Sequence, residues 1–508
     1  MKKSIYILLS VLIFSACDEG FEELNVDPTK PVQVSLNSKL TAAQRFMSSE
    51  RYDNWRANLI YQSTMMQHLS TTAGYWSGDK YTWNKGYASS LIDRYYGNAV
   101  KSVEDMLFQI NEEQAPEEMR AIVRIMRVYI YSRLTDLYGD IPYSEAGQAV
   151  ISGVLKPKYD LQSEIYTDFL NELEESAASL GSGTSEFGAS DLIYQGNQDK
   201  WRKLANSLML RLGFRLIKID PTASQAWVTK AIAGGVMESN EDIFYLKHES
   251  EQNRNGNSEA FDADGNPRLS DTFVNFLQDD PRLTVLGALP ENTGEVDANK
   301  DPILRTPEER LDAEAQKGLP NGLDAPLLLA ATGEEDVQAY TEPNRMLITA
   351  FDAPMFFQTY AEVEFMLAEA AVRWGLAGGD PTRHYTDGVR AAMKMLALYG
   401  PAGVISDADI DTYLAANPLD LTNALEQINT QYWAATFLNE YEAFANWRRT
   451  GFPVLVPVNY SGNETGGTIP RRLTYSESEQ SDNPENYQAA IQAQGPDLLT
   501  TRVWWDVE

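Results

Sequence analysis

The chain has 508 residues, 43% of them hydrophobic and 23% charged, a balance that supports a folded globular body. Its formal net charge of -31 repels phosphate backbones, which sets nucleic acid aside as a partner, and it disfavours anionic substrates unless a local basic pocket exists. The single cysteine, Cys17, rules out an internal disulfide, and three scattered histidines, His68, His248 and His384, leave little for histidine-based metal or triad chemistry.

The first segment is an address. Lys2 and Lys3 precede the apolar run Ile5 to Phe14, and small residues Ser15 and Ala16 lead into Cys17. This is the basic, apolar, small-residue order of a signal peptide, and the run is too short to span a bilayer. "FSAC" resembles the lipobox of bacterial lipoproteins, with Phe14 in place of the usual leucine. That resemblance implies cleavage before Cys17, giving a signal peptide over 1–16 and a lipid on the Cys17 sulfur. Residues 17–36 are acidic, polar and carry Pro28 and Pro31, so they read as a tether. A single domain over 37–508 follows.

Helical periodicity dominates that domain. A helix is predicted where Met119, Ile122, Met126, Tyr129, Ile130, Leu134 and Leu137 share a face, opened by Pro116 and two glutamates and closed by Gly139. Leu161, Ile165, Phe169 and Leu173 mark a second, and Trp201, Leu204, Leu208 and Leu212 a third. "FFQTYAEVEFMLAEAAVRWG" is a fourth, alanine-rich and suited to close packing. "LEQINTQYWAATFLNEYEAFANWRRTG" reads as one long helix ending in arginines and Gly451. Strand patterns are few, and the prolines of "GFPVLVPV" make it an edge or an extended connector. Long polar loops at 181–199, 247–270 and 287–345 separate these elements. The fold class is mostly α.

The candidate ligand residues lie in "TTAGYWSGDKYTWN". Tyr75, Trp76, Tyr81 and Trp83 crowd a stretch with no helical apolar face, flanked by Asp79, Lys80 and Asn84. Sugar rings stack their C–H faces on aromatic rings while polar groups take the hydroxyls. Exposed aromatics would also serve a peptide or a protein interface. Asn253, Arg254, Asn255 and Asn257 of the loop "ESEQNRNGNSEAF" add polar contacts. "FDADGNPRLSD" spaces Asp262, Asp264 and Asn266 as a calcium loop does, but the closing bidentate acid is missing, so a solvated turn is expected. No metal and no cofactor is implied. Arg448 and Arg449 are read as capping a helix end beside a core Trp447, Arg471 and Arg472 as pairing with Glu477 and Glu479, and Trp504 and Trp505 as packing the chain end down. With 73 acidic residues some carboxylates must lie at glycosidase spacing by chance, and none is singled out as a catalytic pair.

Several motifs occur together in order: "LTDLYGDIPYSEA" (134–146), "KYDLQSEIYTDFLNELEES" (158–176), "FLQDDPRL" (276–283), "YAEVEFMLAEAAVRWG" (360–375), "EYEAFANWRRTGFPVL" (440–455), "IPRRLTYSESEQSDNPENY" (469–487) and "TRVWWD" (501–506). The series resembles the SusD/RagB family of Bacteroidota surface lipoproteins and covers essentially the whole chain after Cys17. The resemblance implies a scaffold of tetratricopeptide-like helix pairs with a loop-rich half. It implies a non-enzymatic lid over a SusC-like TonB-dependent outer-membrane transporter, delivering an oligosaccharide or, in the RagB branch, a peptide. It also gives Asp18, Glu19, Glu22 and Glu23 a meaning: they resemble the export signal that sends such lipoproteins to the outer face. A secreted glycoside hydrolase is the weakest reading.

Overall fold

The computed structural model describes residues 34–508; Cys17, the signal peptide and most of the tether lie outside the described residues. The helices that build the scaffold are α1 (Leu36–Ser48), α2 (Lys101–Glu113), α3 (Glu117–Tyr138), α4 (Gln162–Ser179), α5 (Gln198–Arg215), α6 (Pro221–Gly234), α7 (Tyr360–Trp374), α8 (Pro381–Lys394), α9 (Ala424–Ala435) and α10 (Glu440–Thr450). Consecutive helices pack as pairs, α2 on α3, α3 on α4, α4 on α5, α5 on α6 and α7 on α8. The predicted boundaries of α3 hold: Pro116 is its N-cap and Gly139, at φ 81°, its C-cap. α7 opens with a capping box, Thr359 and Glu362 each hydrogen-bonding the other's backbone N–H.

Two expectations fail. "FFQ" before α7 is not helical; residues Met355–Gln358 pair antiparallel with Phe244–Leu246. The long helix after residue 424 is two helices, α9 and α10, because Leu438 takes a left-handed φ of 70°. Its carbonyl then accepts from Asn58 Nδ2 at 3.0 Å and Asn257 Nδ2 at 3.1 Å. "GFPVLVPV" joins no sheet and runs as an extended connector.

One continuous apolar core runs through the helices, and a small satellite of Leu319, Leu328 and Tyr340 lies under the loop-rich half. Buried ion pairs fix the helix register. Arg211 of α5 reaches Glu362 of α7 at 2.6 Å, Arg215 reaches Glu442 of α10 at 2.7 Å, and Arg449 holds both oxygens of Glu369 at 2.7 Å. Arg449 is therefore an internal strut, and Arg448 likewise turns inward, its ring of donors reaching the carbonyls of Phe444 and Arg471. Arg471 and Arg472 pair with Asp506 and Asp497 at the chain end, whereas Glu477 pairs with Lys85 and Glu479 accepts from Tyr159. The predicted Arg–Glu network is thus replaced by longer-range anchors to the C-terminal segment, with Trp505 fully buried and its indole N–H on Asp136 at 3.0 Å; Trp504 stays 37% exposed.

Candidate ligand-binding surface

The stretch 71–84 folds into a compact turn that divides its aromatics. Gly78 presses against the Tyr61 backbone, where a Cβ would stand 2.4 Å from the carbonyl oxygen, and Tyr81 adopts a left-handed φ of 53°. Trp76 and Tyr81 are buried and so contribute no exposed platform. Trp76 donates its indole N–H to Asp264 at 2.9 Å, and the Tyr81 hydroxyl accepts from the Val458 N–H at 3.2 Å. Asp79 is also buried: it accepts from Lys80 at 3.2 Å and from Asn321 at 2.7 Å, pinning the turn to the loop-rich half. Asn84, half-buried, caps the one-turn helix Lys85–Ala88. Tyr75 and Trp83 remain exposed, and they face different neighbours.

Tyr75 joins two aromatics that sequence reasoning passed over. Its ring lies 6.4 Å edge-on from Trp55, and Trp55 is stacked 6.4 Å from Tyr52. The Tyr75 hydroxyl donates to Asp264 at 2.6 Å and accepts from Asn266 at 3.1 Å. Burial, followed by the Asp264 carboxylate, pushes its pKa up to about 12, so it stays protonated and fixed. Asp264 spends its other oxygen on the Asn266 N–H at 3.0 Å: the acidic turn anchors the aromatic stretch, and no metal-holding group of side chains occurs among the described residues.

Tyr52 and Trp55 sit where the helix begun at Arg51–Asp53 passes into π-type winding over Asn54–Ser63, a winding often found at functional sites. Around Tyr52 stand three guanidiniums: Arg51 at 4.5 Å from the ring centre, Arg56 at 5.2 Å and Arg94 at 5.9 Å. Beneath them Asp53 contacts Arg94 at 3.1 Å. Burial raises its pKa to about 7 in spite of Arg94, so its charge changes near neutrality.

Tyr52 borders a cleft of about 690 Å³, open between the end of α1 and the 248–254 loop, with Arg45, Arg51, Asn253, Arg254 and Glu259 in its walls. The loop is held to α1 by His248, which bonds Ser48 Oγ at 2.8 Å and the Asn253 carbonyl at 2.9 Å. Burial lowers the His248 pKa, which keeps the ring neutral in this bridge. Arg254 is exposed, with its guanidinium 4.1 Å from the Phe351 ring. Asn255 is buried and structural: it caps the helix Gly256–Ala263 and donates to the Ala353 carbonyl at 3.1 Å. Gly256 lets that helix approach, since a Cβ there would stand 2.5 Å from Asn54 Nδ2. Arg45, Arg51 and Arg254 bond Asn253, Tyr52 and the Ser250 carbonyl and have no carboxylate partner among the described residues. The arrangement offers flat apolar faces beside free donors in a concave wall, which suits a neutral, hydroxyl-rich chain molecule.

Most of the chain has relatives of known family and structure. A SusD-like family profile, described as "Starch-binding associating with outer membrane", matches residues 28–476. A solved structure titled as a chitin-binding protein is 34% identical, with a TM-score of 0.82 over 93% of this chain and 100% of that one. A Bacteroidetes SusD-like structure is 27% identical, with a TM-score of 0.80 over 94% and 100%. A chitin-binding SusD homolog from Flavobacterium johnsoniae shares the fold at 23% identity, with a TM-score of 0.75 over 93% and 99%. No curated protein matches the sequence.

Proposed function

Since the chain belongs to the SusD-like family, whose description places its members with the outer membrane, we propose that it is a glycan-binding surface lipoprotein, and that chitin-type oligosaccharide is its ligand. The observation that carries this reading is the strip Tyr75–Trp55–Tyr52 at the rim of the arginine-bearing cleft, in which Tyr75 and Tyr52 are exposed and Trp55 between them is half-buried. The identity to a chitin-binding relative supports the choice of sugar. Aromatic faces take the apolar side of each sugar ring, and Arg45, Arg51 and Arg254 donate to acetamido and hydroxyl oxygens. Of the residues singled out in the sequence, Tyr75, Arg254 and Asn253 belong to this surface, whereas Trp76, Tyr81, Asp79 and Asn255 support it from within.

The protein binds and does not turn over its ligand in this account; Glu362, Glu364 and Glu369 are occupied by Arg211, His384 and Arg449 inside the scaffold. Cys17 carries the lipid, the acidic residues after it direct the chain to the outer face, and a SusC-like TonB-dependent transporter is the partner that the bound oligosaccharide is handed to for import. Calorimetric titration with chitin oligosaccharides tests the reading, with saturable binding expected; binding to no glycan would refute it. The peptide alternative rests on the same three arginines, which would also take a peptide carboxylate; recovery of peptides alone from the native protein would favour it.

A further inference from the structure

The aromatic strip continues past Tyr52. The Arg56 guanidinium lies 5.2 Å from the Tyr52 ring and 5.2 Å from that of Tyr87. Tyr87 belongs to the one-turn helix Lys85–Ala88. Lys85 of that helix sits 4.9 Å from the exposed Trp83 ring and pairs with Glu477, while the Trp83 indole donates to Thr474 at 3.0 Å. Ser476 and Ser478, on either side of Glu477, together with Glu479 line a second concavity of about 410 Å³.

This second concavity also sets aromatic rings beside polar groups. Its walls carry the half-buried rings of Tyr96 and Tyr159. The Tyr96 hydroxyl is tied to the Pro142 carbonyl at 2.5 Å and the Tyr159 hydroxyl to Glu479 at 2.8 Å, so both rings are held in place. Lys101, Glu145 and Ser478 supply polar groups, and Leu155 stands 79% exposed at its edge. The two concavities share no lining residue. They meet through the helix Ser90–Tyr95 and its continuation: Arg94 leans on Tyr52, while Asp93 and Tyr96 line the second concavity.

We propose that the two concavities are the ends of one binding track, joined by Tyr52, Arg56, Tyr87, Lys85 and Trp83, and that the ligand is a linear oligosaccharide long enough to occupy both. This inference rests on the glycan reading above and adds the ligand's length and the second subsite. Joining two subsites through one ligand makes the second contact intramolecular and raises affinity steeply with length.

Titration of the full chain with soluble chitin oligomers of increasing length tests it. Affinity is expected to rise about tenfold or more between an oligomer that fits the first cleft and one that reaches the second concavity. Trp83→Ala is expected to collapse that long-to-short ratio towards one. Ser478→Trp, on an exposed position whose new ring would fill the concavity without disturbing the core, is expected to do the same and guards against a folding defect in the tryptophan variant. Equal affinity for short and long oligomers, or a length dependence untouched in both variants, would overturn the track while leaving the glycan reading standing. Binding of no oligomer of any length would remove the glycan reading and the track with it.

Discussion

Replacing Arg449 by methionine keeps much of the side-chain volume and deletes the partner of a fully buried carboxylate. Both Glu369 oxygens take guanidinium N–H groups of Arg449 at 2.7 Å. Arg449 and the neighbouring Arg373 hold the Glu369 carboxyl at about 2, against the usual 4.5, even though burial opposes ionisation. At ~1.36 kcal/mol per tenfold change in proton affinity, that difference corresponds to roughly 3 kcal/mol for the two arginines together, Arg449 supplying the larger share. It agrees with the ~3–5 kcal/mol typical of breaking a buried pair from one side. With an unfolding entropy of roughly 2.1 cal/mol/K per residue, a chain of this length loses about 3 to 5 °C of melting temperature for such a change. The pH dependence carries a sign. A carboxylate whose pKa is depressed on folding stabilises fully above the unfolded value and loses that contribution as pH falls from about 4.5 towards 2. Arg449→Met should therefore unfold at lower urea concentration at neutral pH and show a shallower loss of stability over that acid window, followed by circular dichroism. An unchanged urea midpoint, or an acid limb as steep as that of the unsubstituted chain, would refute the argument that this pair holds α7 to α10.

Trp55→Ala removes the middle ring of the strip and is expected to cost roughly 2 kcal/mol of binding, about thirtyfold, as central aromatic anchors do, read by calorimetry alongside a check of folding. Asp53 gains proton affinity on folding, its pKa rising from 3.8 to about 7, so its contribution to stability is present below about 3.8 and is lost as pH rises through about 7; Asp53→Asn should flatten that decline in urea titrations at stepped pH. Gly256→Ala places a methyl 2.5 Å from Asn54 Nδ2 and 2.9 Å from the Glu50 backbone, so the 248–254 loop should shift and ligand affinity fall, measured in the same titrations. Cys17→Ala should release the protein from membranes in fractionation without its transporter.

Local signals account for much of the fold. Pro116 and Gly139 bracket α3 because proline tolerates a helix start and glycine takes the conformation that ends it. The capping box at Thr359 and Glu362 is similarly short-range. Where partners lie far along the chain, periodicity is silent. Nothing near Trp76 shows that its indole will meet Asp264, 188 residues on, so a residue with every mark of an exposed platform is core. α9 and α10 read as one helix because the break at Leu438 is fixed by Asn58 and Asn257 from distant segments. Tyr52 and Trp55 lie inside "RYDNWRAN", which reads as ordinary helix; the usable clue is two aromatics three residues apart, bracketed by Arg51 and Arg56.

The most direct test of the central claim is a calorimetric titration of the mature chain with a soluble chitin oligosaccharide, run beside Tyr52→Ala and Trp55→Ala variants of verified fold. The account predicts saturable binding to the unsubstituted chain and a fall of about thirtyfold in affinity in each variant. Absence of binding to any glycan, or full affinity retained in both variants, would contradict it.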